Sequence, residues 1–579
     1  MSRVQVPSFT PFRPAPSAPV GAGGAARYGP DMSPTAPSAA SSGHLAGTYD
    51  VVVVGGGHNA LVAAAYLGRA GRSVLVLERL DQPGGAAVSG SPFPGKDVRL
   101  SRYSYLVSLL PQRVLDDLGV RLELRSRRTA SYTPVLRDGV AGGLLVERPE
   151  GQATRESFAA VTGGDEAYDA WQRWGADAER LARAVEPTLT RPLPRASDLR
   201  DAVGHEVWDD LVERPLGDVL VERFVDEVVR GVVATDALIG TFTDLHSPER
   251  LANRCFLYHA IGGATGEWRV PVGGMGAVSA ALAEAASRHG AEVRTGCDVE
   301  AVDASVDGVA VRFAGPDGVS TVRAAHVLAG VSPAELRRLR GVSEPATGPA
   351  GAGPTGAVEG SQLKINILVD RLPRLRSGVD PAVAFAGTFH VAETWDELDR
   401  SRAEALAGEL PSRPCGELYC HSLTDDSILG ADLRGSGTHT LTWFGLNTPA
   451  ALFSGDGERR AAVRDEAVRR VIAAVDEHLA EPLGACLATD AEGRPCLEAL
   501  VPQDLEDQLR LPGGHIFHGD LGWPWRSDDE TPRTPAEAWG VATDHPRLLL
   551  CGSGAVRGGA VSGIGGHNAA HALLETASG

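Results

Sequence analysis

In "VVVVGGGHNALVAAAYL" (residues 51–67), Gly55, Gly57 and Ala60 form a Gly-x-Gly-x-x-Ala frame, and the acid Glu78 follows at the roughly twenty-residue distance of a dinucleotide fingerprint. Each position has a task. Gly55 permits a tight turn, Gly57 lets a pyrophosphate approach the backbone, and Ala60 allows close helix–strand contact. A helix beginning here turns its unpaired N–H groups toward the phosphates, with His58 and Asn59 on that side. Glu78 ends the strand "SVLVLE", where a carboxylate accepts from the adenosine ribose. Adjacent Arg79 leaves a 2′-phosphate open. NAD and FAD share the adenosine half, so this frame alone does not separate them.

Two further stretches point to a flavin. "ERLDQPGGAAVSG" (78–90) supplies a second bare backbone at Gly84, Gly85 and Ala86. "LLLCGSGAVRGGAVSGIGGHNAAHALLE" (548–575) reads as a buried strand, a glycine-rich loop and a helix from Asn568. It lacks the Gly-Lys-Ser/Thr ending of a nucleoside-triphosphate loop. Gly552, Ser553, Gly554, Gly559, Val561, Ser562 and Gly563, with Asn568 capping the helix, are placed to stabilise negative charge at the N1–C2=O edge of a reduced flavin. The cofactor expected is FAD.

Groups for the chemistry itself are fewer. Arginine abounds, yet lysine occurs only at Lys96 and Lys364. Unlike a guanidinium, a buried lysine can lose its proton or hold a water near flavin N5. Lys364 alternates with Asn366 in the strand-like "QLKINILVD" and is a catalytic candidate, as is His567 near the predicted ring. Tyr103 and Tyr105 flank a flavin or simply fill the core. His515 and His518 lie three apart with Asp520 nearby, but no further ligands cluster with them, and no metal is assigned. No second strand–GxGxxG–helix for a nicotinamide cofactor is present, which turns the reoxidant toward oxygen, a quinone or another carrier. Cys415 and Cys420 have the spacing of a redox pair but lie far from the first motif, so they read as ordinary thiols.

These groups need a large scaffold, and 579 residues provide it, with room for two interleaved domains. A net charge of −19 argues against nucleic acid and against a polybasic membrane patch. No apolar run reaches the ~20 residues of a membrane-spanning helix, so no transmembrane segment is expected, while peripheral membrane contact stays open. Scattered, odd-numbered cysteines fit a reducing, cytoplasmic setting. Residues 1–46, dense in Pro, Ser, Gly and Ala, read as a disordered tail; a transit peptide there would instead direct the chain to an organelle matrix. "GVSEPATGPAGAGPTGAVEG" (341–360) reads as a flexible loop, and "DEAYDAWQRWGADAERLARAVEPTL" (165–189) as an amphipathic helix with Tyr168, Trp171, Ala178 and Leu181 on one stripe. That stripe is core or the wall of a tunnel for a long apolar substrate.

Together, "GGGHNALVAAAYL", "GGAAVSG", "SRYSYLVSLL", "VPVGGMGAVSAAL", "LKINILVD", "GGHIFHGDL" and "CGSGAVRGGAVSGIGGHNAA" resemble the phytoene-desaturase-like flavoproteins, relatives of the carotenoid oxidoreductases. The nearest branch is that of the pyridine nucleotide-disulfide oxidoreductase domain-containing proteins. The resemblance implies an α/β fold: a glutathione-reductase-type FAD-binding Rossmann domain built from discontinuous segments, near 47–115, 265–345 and 540–579. An α+β substrate domain would comprise 116–264 and 346–539. It also implies that the backbone at Val299 contacts the adenine. No disulfide chemistry is carried over. The function expected is an FAD-dependent dehydrogenase or desaturase passing hydride from an apolar small molecule to flavin. Alternatives are an amine-oxidase-like enzyme and a flavoprotein acting mainly as a binding partner; oligomeric state is left open.

Overall fold

The computed structural model describes residues 47–342 and 359–576. The tail at 1–46 and most of the 341–360 loop therefore lie outside the described residues. Strand Thr48–Val54 is buried along its valine run, as a parallel strand covered on both faces requires. It pairs in parallel with Gly318–Ala329 on one side and Val74–Leu77 on the other. Glu292–Arg294 extends the sheet beyond Val74–Leu77. Leu548–Leu550 joins in parallel at residues Val327–Ala329, so the first and last strands of the described residues enter one layer. An antiparallel meander, Asp298–Ala304, Val309–Gly315 and Gly318–Ala329, completes it, with a register shift between Val299 and Ala301.

Helix His58–Arg69 is buried along most of its length and packs between helices Met275–Arg288 and Ile564–Thr576. Bare backbone makes this contact feasible. A Cβ on Gly566 would stand 1.8 Å from the carbonyl oxygen of Asn59, well inside contact distance. The last helix can lie on the first only because glycine stands there.

A second sheet runs in the order Leu497–Leu500, Ser361–Val369, His439–Pro449, Gly416–Tyr419, Thr388–Val391, Thr129–Arg137 and Val140–Glu147. Leu363, Ile365, Ile367, Leu418, Leu441, Trp443 and Phe389 belong to its large apolar core. Side chains alternate across a strand, so Lys364, Asn366, Glu417, Tyr419 and Phe444 share the opposite face. Helix Glu166–Val185 lies against this half. Its Tyr168 and Trp171 rings sit 5.3 and 5.6 Å from Phe158, so the aromatic stripe packs half-buried against the core, with Leu181 inside it. Among the described residues no helix is long and apolar enough to cross a membrane. Cys415 and Cys420 are buried free thiols, and burial holds both well above the usual thiol range.

Candidate active site

A cleft of about 280 Å³ runs from the glycine turn of the first sheet to the polar face of the second. At its first end the backbone follows the fingerprint. Gly55 has φ +86°, a conformation glycine adopts without steric cost. Gly57 faces open space, where an added Cβ would meet nothing within 4 Å. The helix His58–Arg69 starts there with no side-chain cap, leaving first-turn N–H groups for a ligand. Glu78 is held by two backbone donors, Gly56 N at 2.7 Å and Leu80 N at 2.8 Å. Each carboxylate oxygen keeps further acceptor capacity, as a ribose hydroxyl requires. Gly85, Ala86, Arg79 and Val299 line the same end. Arg79 also donates to the Gln508 carbonyl. Gly84 stands one layer back, its N–H bonded to the Gly56 carbonyl at 2.8 Å, which ties the glycine doublet to the turn.

His58 and Asn59 line the cleft but also clamp the first helix to the last loop. His58 Nε2 lies 3.1 Å from the Ala560 carbonyl, and Asn59 Nδ2 donates to the Gly558 carbonyl at 3.2 Å. A carbonyl only accepts, so the His58 proton resides on Nε2, and burial pushes the ring down to about 4. Its Nδ1 and the Asn59 Oδ1 are buried without a partner. Both are acceptors. As acceptors they suit a hydroxyl or amide donor.

From the last loop, Gly552, Ser553 and Val561 line the cleft. Four neighbours do not. A Cβ on Gly554 would meet Pro333, one on Gly559 Leu521, and one on Gly563 Val62, so these glycines serve packing. The Ser562 hydroxyl accepts from Ile564 N at 3.2 Å at the start of the helix. That helix begins at Ile564, which corrects the expected roles of His567 and Asn568. Asn568 lies inside it and bonds the Leu189 carbonyl at 3.2 Å rather than capping. His567 is fully buried behind the cleft, 5.1 Å from the Tyr66 ring and 4.3 Å from His571. It does not line the cleft.

Lys364 does line the cleft. Its Nζ donates to the carbonyls of Ser101 at 2.6 Å and Tyr103 at 2.7 Å and lies 5.0 Å from the Tyr105 ring centre. Burial pushes its pKa down to about 7, against the pull of Glu498. Near neutrality the group is balanced between ammonium and amine. With two positions occupied by carbonyls, the third carries either a proton or a lone pair.

Register across the second sheet sets out the rest. Lys364 pairs with Phe444, Phe444 with Glu417, and Glu417 with His390. Directly opposed residues of antiparallel strands share a face, so the four form one row. Behind it, His390 Nδ1 contacts Glu393, whose other oxygen is buried without a partner, and Tyr419 donates to Glu417. Burial, reinforced by the nearby Glu393 charge, pushes Glu417 up to about 8. Arg127, Asp236, His259, Trp268, Tyr419 and Glu417 line this end together with Tyr105, Leu106, Ile239 and Phe444. Reading the sequence missed Arg127, Asp236, His259 and Glu417, which come from separate helices, strands and loops. The only local signal was a charged residue inside an apolar run, as in "GELYC".

The family of flavin containing amine oxidoreductases matches residues 61–359, more than half of the 579 residues. The chain belongs to this family. As a flavin containing amine oxidoreductase family member it is an FAD-dependent oxidoreductase, and the turn, Glu78 and the unpartnered acceptors described above fit FAD. An uncharacterized protein of Mycobacterium tuberculosis is 50% identical over 91% of this chain and 97% of its own length. Pyridine nucleotide-disulfide oxidoreductase domain-containing protein 2 of Mus musculus is 31% identical over 92% of this chain and 94% of its own. A putrescine oxidase variant shares the mixed α/β fold, with a TM-score of 0.53 at 17% identity, covering 92% of this chain and 99% of that one.

Proposed function

We propose that this family member is a dehydrogenase of the phytoene-desaturase-like type, removing hydrogen from adjacent C–H groups of a small molecule with a largely apolar body. Its cofactor domain, of the glutathione-reductase type, would be built from 47–115, 265–345 and 540–579, and its substrate domain from 116–264 and 346–539. The observation that carries the reading is Lys364: a buried amine at the junction of the cofactor cleft and the second sheet. Bound FAD supplies the two-electron acceptor for hydride leaving the substrate carbon. Neutral Lys364 takes the accompanying proton on the one Nζ position not bonded to a carbonyl, leaving a C=C bond in the product. Leu106, Ile239, Trp268 and Phe444 exclude water from the reacting carbons, which strengthens every charge interaction there.

A second reading, oxidation of an amine, is favoured by the Asp236 and Glu417 carboxyls in the cleft lining. Anaerobic addition of candidate substrates to purified yellow protein separates the two. Bleaching by compounds with saturated C–C bonds, but not by putrescine or cyclohexylamine, supports dehydrogenation. Bleaching by amines alone replaces it with the second reading.

A further inference from the structure

The substrate end holds a buried cation that its neighbours do not neutralise. Arg127 is 7% exposed and lines the cleft. Among the described residues its guanidinium donates to one side chain, Thr388 Oγ1 at 3.2 Å, lies 5.5 Å over the Tyr419 ring, and forms no ion pair. A guanidinium has five N–H donors, and burying it without a counter-anion is costly. Its charged surroundings do not remove the problem. Arg148 is a second cation whose field opposes it, while Glu417, Tyr419 and Tyr105 favour its charge from a distance. Burial, with the Glu393 charge beside it, raises Glu417 and so weakens it as a counter-anion, and Arg127 and Glu417 form no ion pair. Burial likewise raises Asp236.

We infer that Arg127 is a specificity-determining residue that binds a carboxylate on the substrate. Its planar fork matches a carboxylate with two parallel N–H···O bonds, and the Thr388 hydroxyl beside it is a further donor. Leu106, Ile239, Trp268 and Phe444 then face the apolar body that carries this carboxylate. The inference rests on the reading of the cleft as a substrate site and narrows it from an apolar small molecule to an apolar carboxylic acid.

The test uses the FAD-loaded full chain and equilibrium titration with benzoate, benzamide and benzylamine, followed by perturbation of the flavin absorbance; it needs no turnover. Wild type is expected to bind benzoate more tightly than either isostere. Arg127→Met should weaken benzoate on the order of 10- to 100-fold, the range of a lost charged hydrogen bond, with benzamide binding and FAD content unchanged. Arg127→Lys, which keeps the charge without the fork, should fall between them and serves alone if the Met variant does not fold. Equal benzoate affinity in wild type and either variant overturns the inference, as does benzoate failing to bind wild type or benzylamine binding more tightly. Failure of the dehydrogenase reading shows separately, as absent bleaching by saturated acids despite Arg127-dependent benzoate binding.

Discussion

The glycine cradle and the polar face of the second sheet line one cleft by different means. The cradle uses backbone. Gly55 turns, Gly57 leaves space, and Glu78 is fastened by two amides within a few residues of the motif. The second sheet uses side chains whose neighbours are distant in sequence: Lys364, Phe444, Glu417 and His390 meet only through strand register. Binding a common cofactor needs unfilled space and amide donors, whereas selecting and oxidising a substrate needs tuned charges. Burial provides that tuning, moving Lys364 down to about 7 and Glu417 up to about 8.

The contrast is broken most sharply at Gly57. Its φ of −65° and ψ of 163° suit any residue, so Gly57→Leu should fold and yet fill the cradle. The expected product is colourless protein with a normal circular dichroism spectrum. FAD retained at wild-type stoichiometry would remove the cradle from its role. At the other end of the cleft, Lys364→Met should keep FAD and lose turnover on the order of 10²- to 10⁴-fold, the usual scale for a positioned acid or base. The neutral amine is the proton acceptor, so wild-type kcat should rise as pH climbs through about 7 and the variant should lack that limb. A wild-type profile flat from pH 5 to 9 would deny Lys364 this work.

Glu78→Ala should weaken FAD on the order of 10- to 100-fold, as a charged hydrogen bond is worth about 1.5–3 kcal/mol; fluorescence titration of apoprotein measures it. Unchanged affinity would mean the carboxylate only braces Gly56 and Leu80. The smallest effect on chemistry is expected at His567. Because it packs behind the cleft against Tyr66 and His571, His567→Leu should leave kcat within about twofold while shifting stability by about 1–3 kcal/mol. A large loss of kcat with unchanged melting would return it to the site.

How far each half was legible follows from the same contrast. The first strand, its turn and Glu78 were readable because dinucleotide recognition is local: one strand, one turn and one helix carry it. Lys364 stood out by composition, since burying a lysine is expensive and this chain has only two. The last loop was readable as glycine-rich but not residue by residue. Its helix starts at Ile564 rather than near Asn568, because Gly565 and Gly566, poor helix formers on their own, are held by close packing, Gly566 against Asn59 and Ala63 of His58–Arg69 and Gly565 against the Cys551–Gly552 backbone. Arg127, Asp236 and Glu417 could not be read as a site, since no spacing relates a loop, a helix end and a central strand.

By itself, then, the order of amino acids determined the bare-backbone cradle and the strands that carry it, because steric freedom at glycine and burial of valine act over a few residues. Only the tertiary structure decided which charges share the cleft and in which protonation state. Those depend on desolvation and on neighbours hundreds of residues away, such as Arg127 and Thr388 at one end or Lys364 and the Ser101 carbonyl at the other.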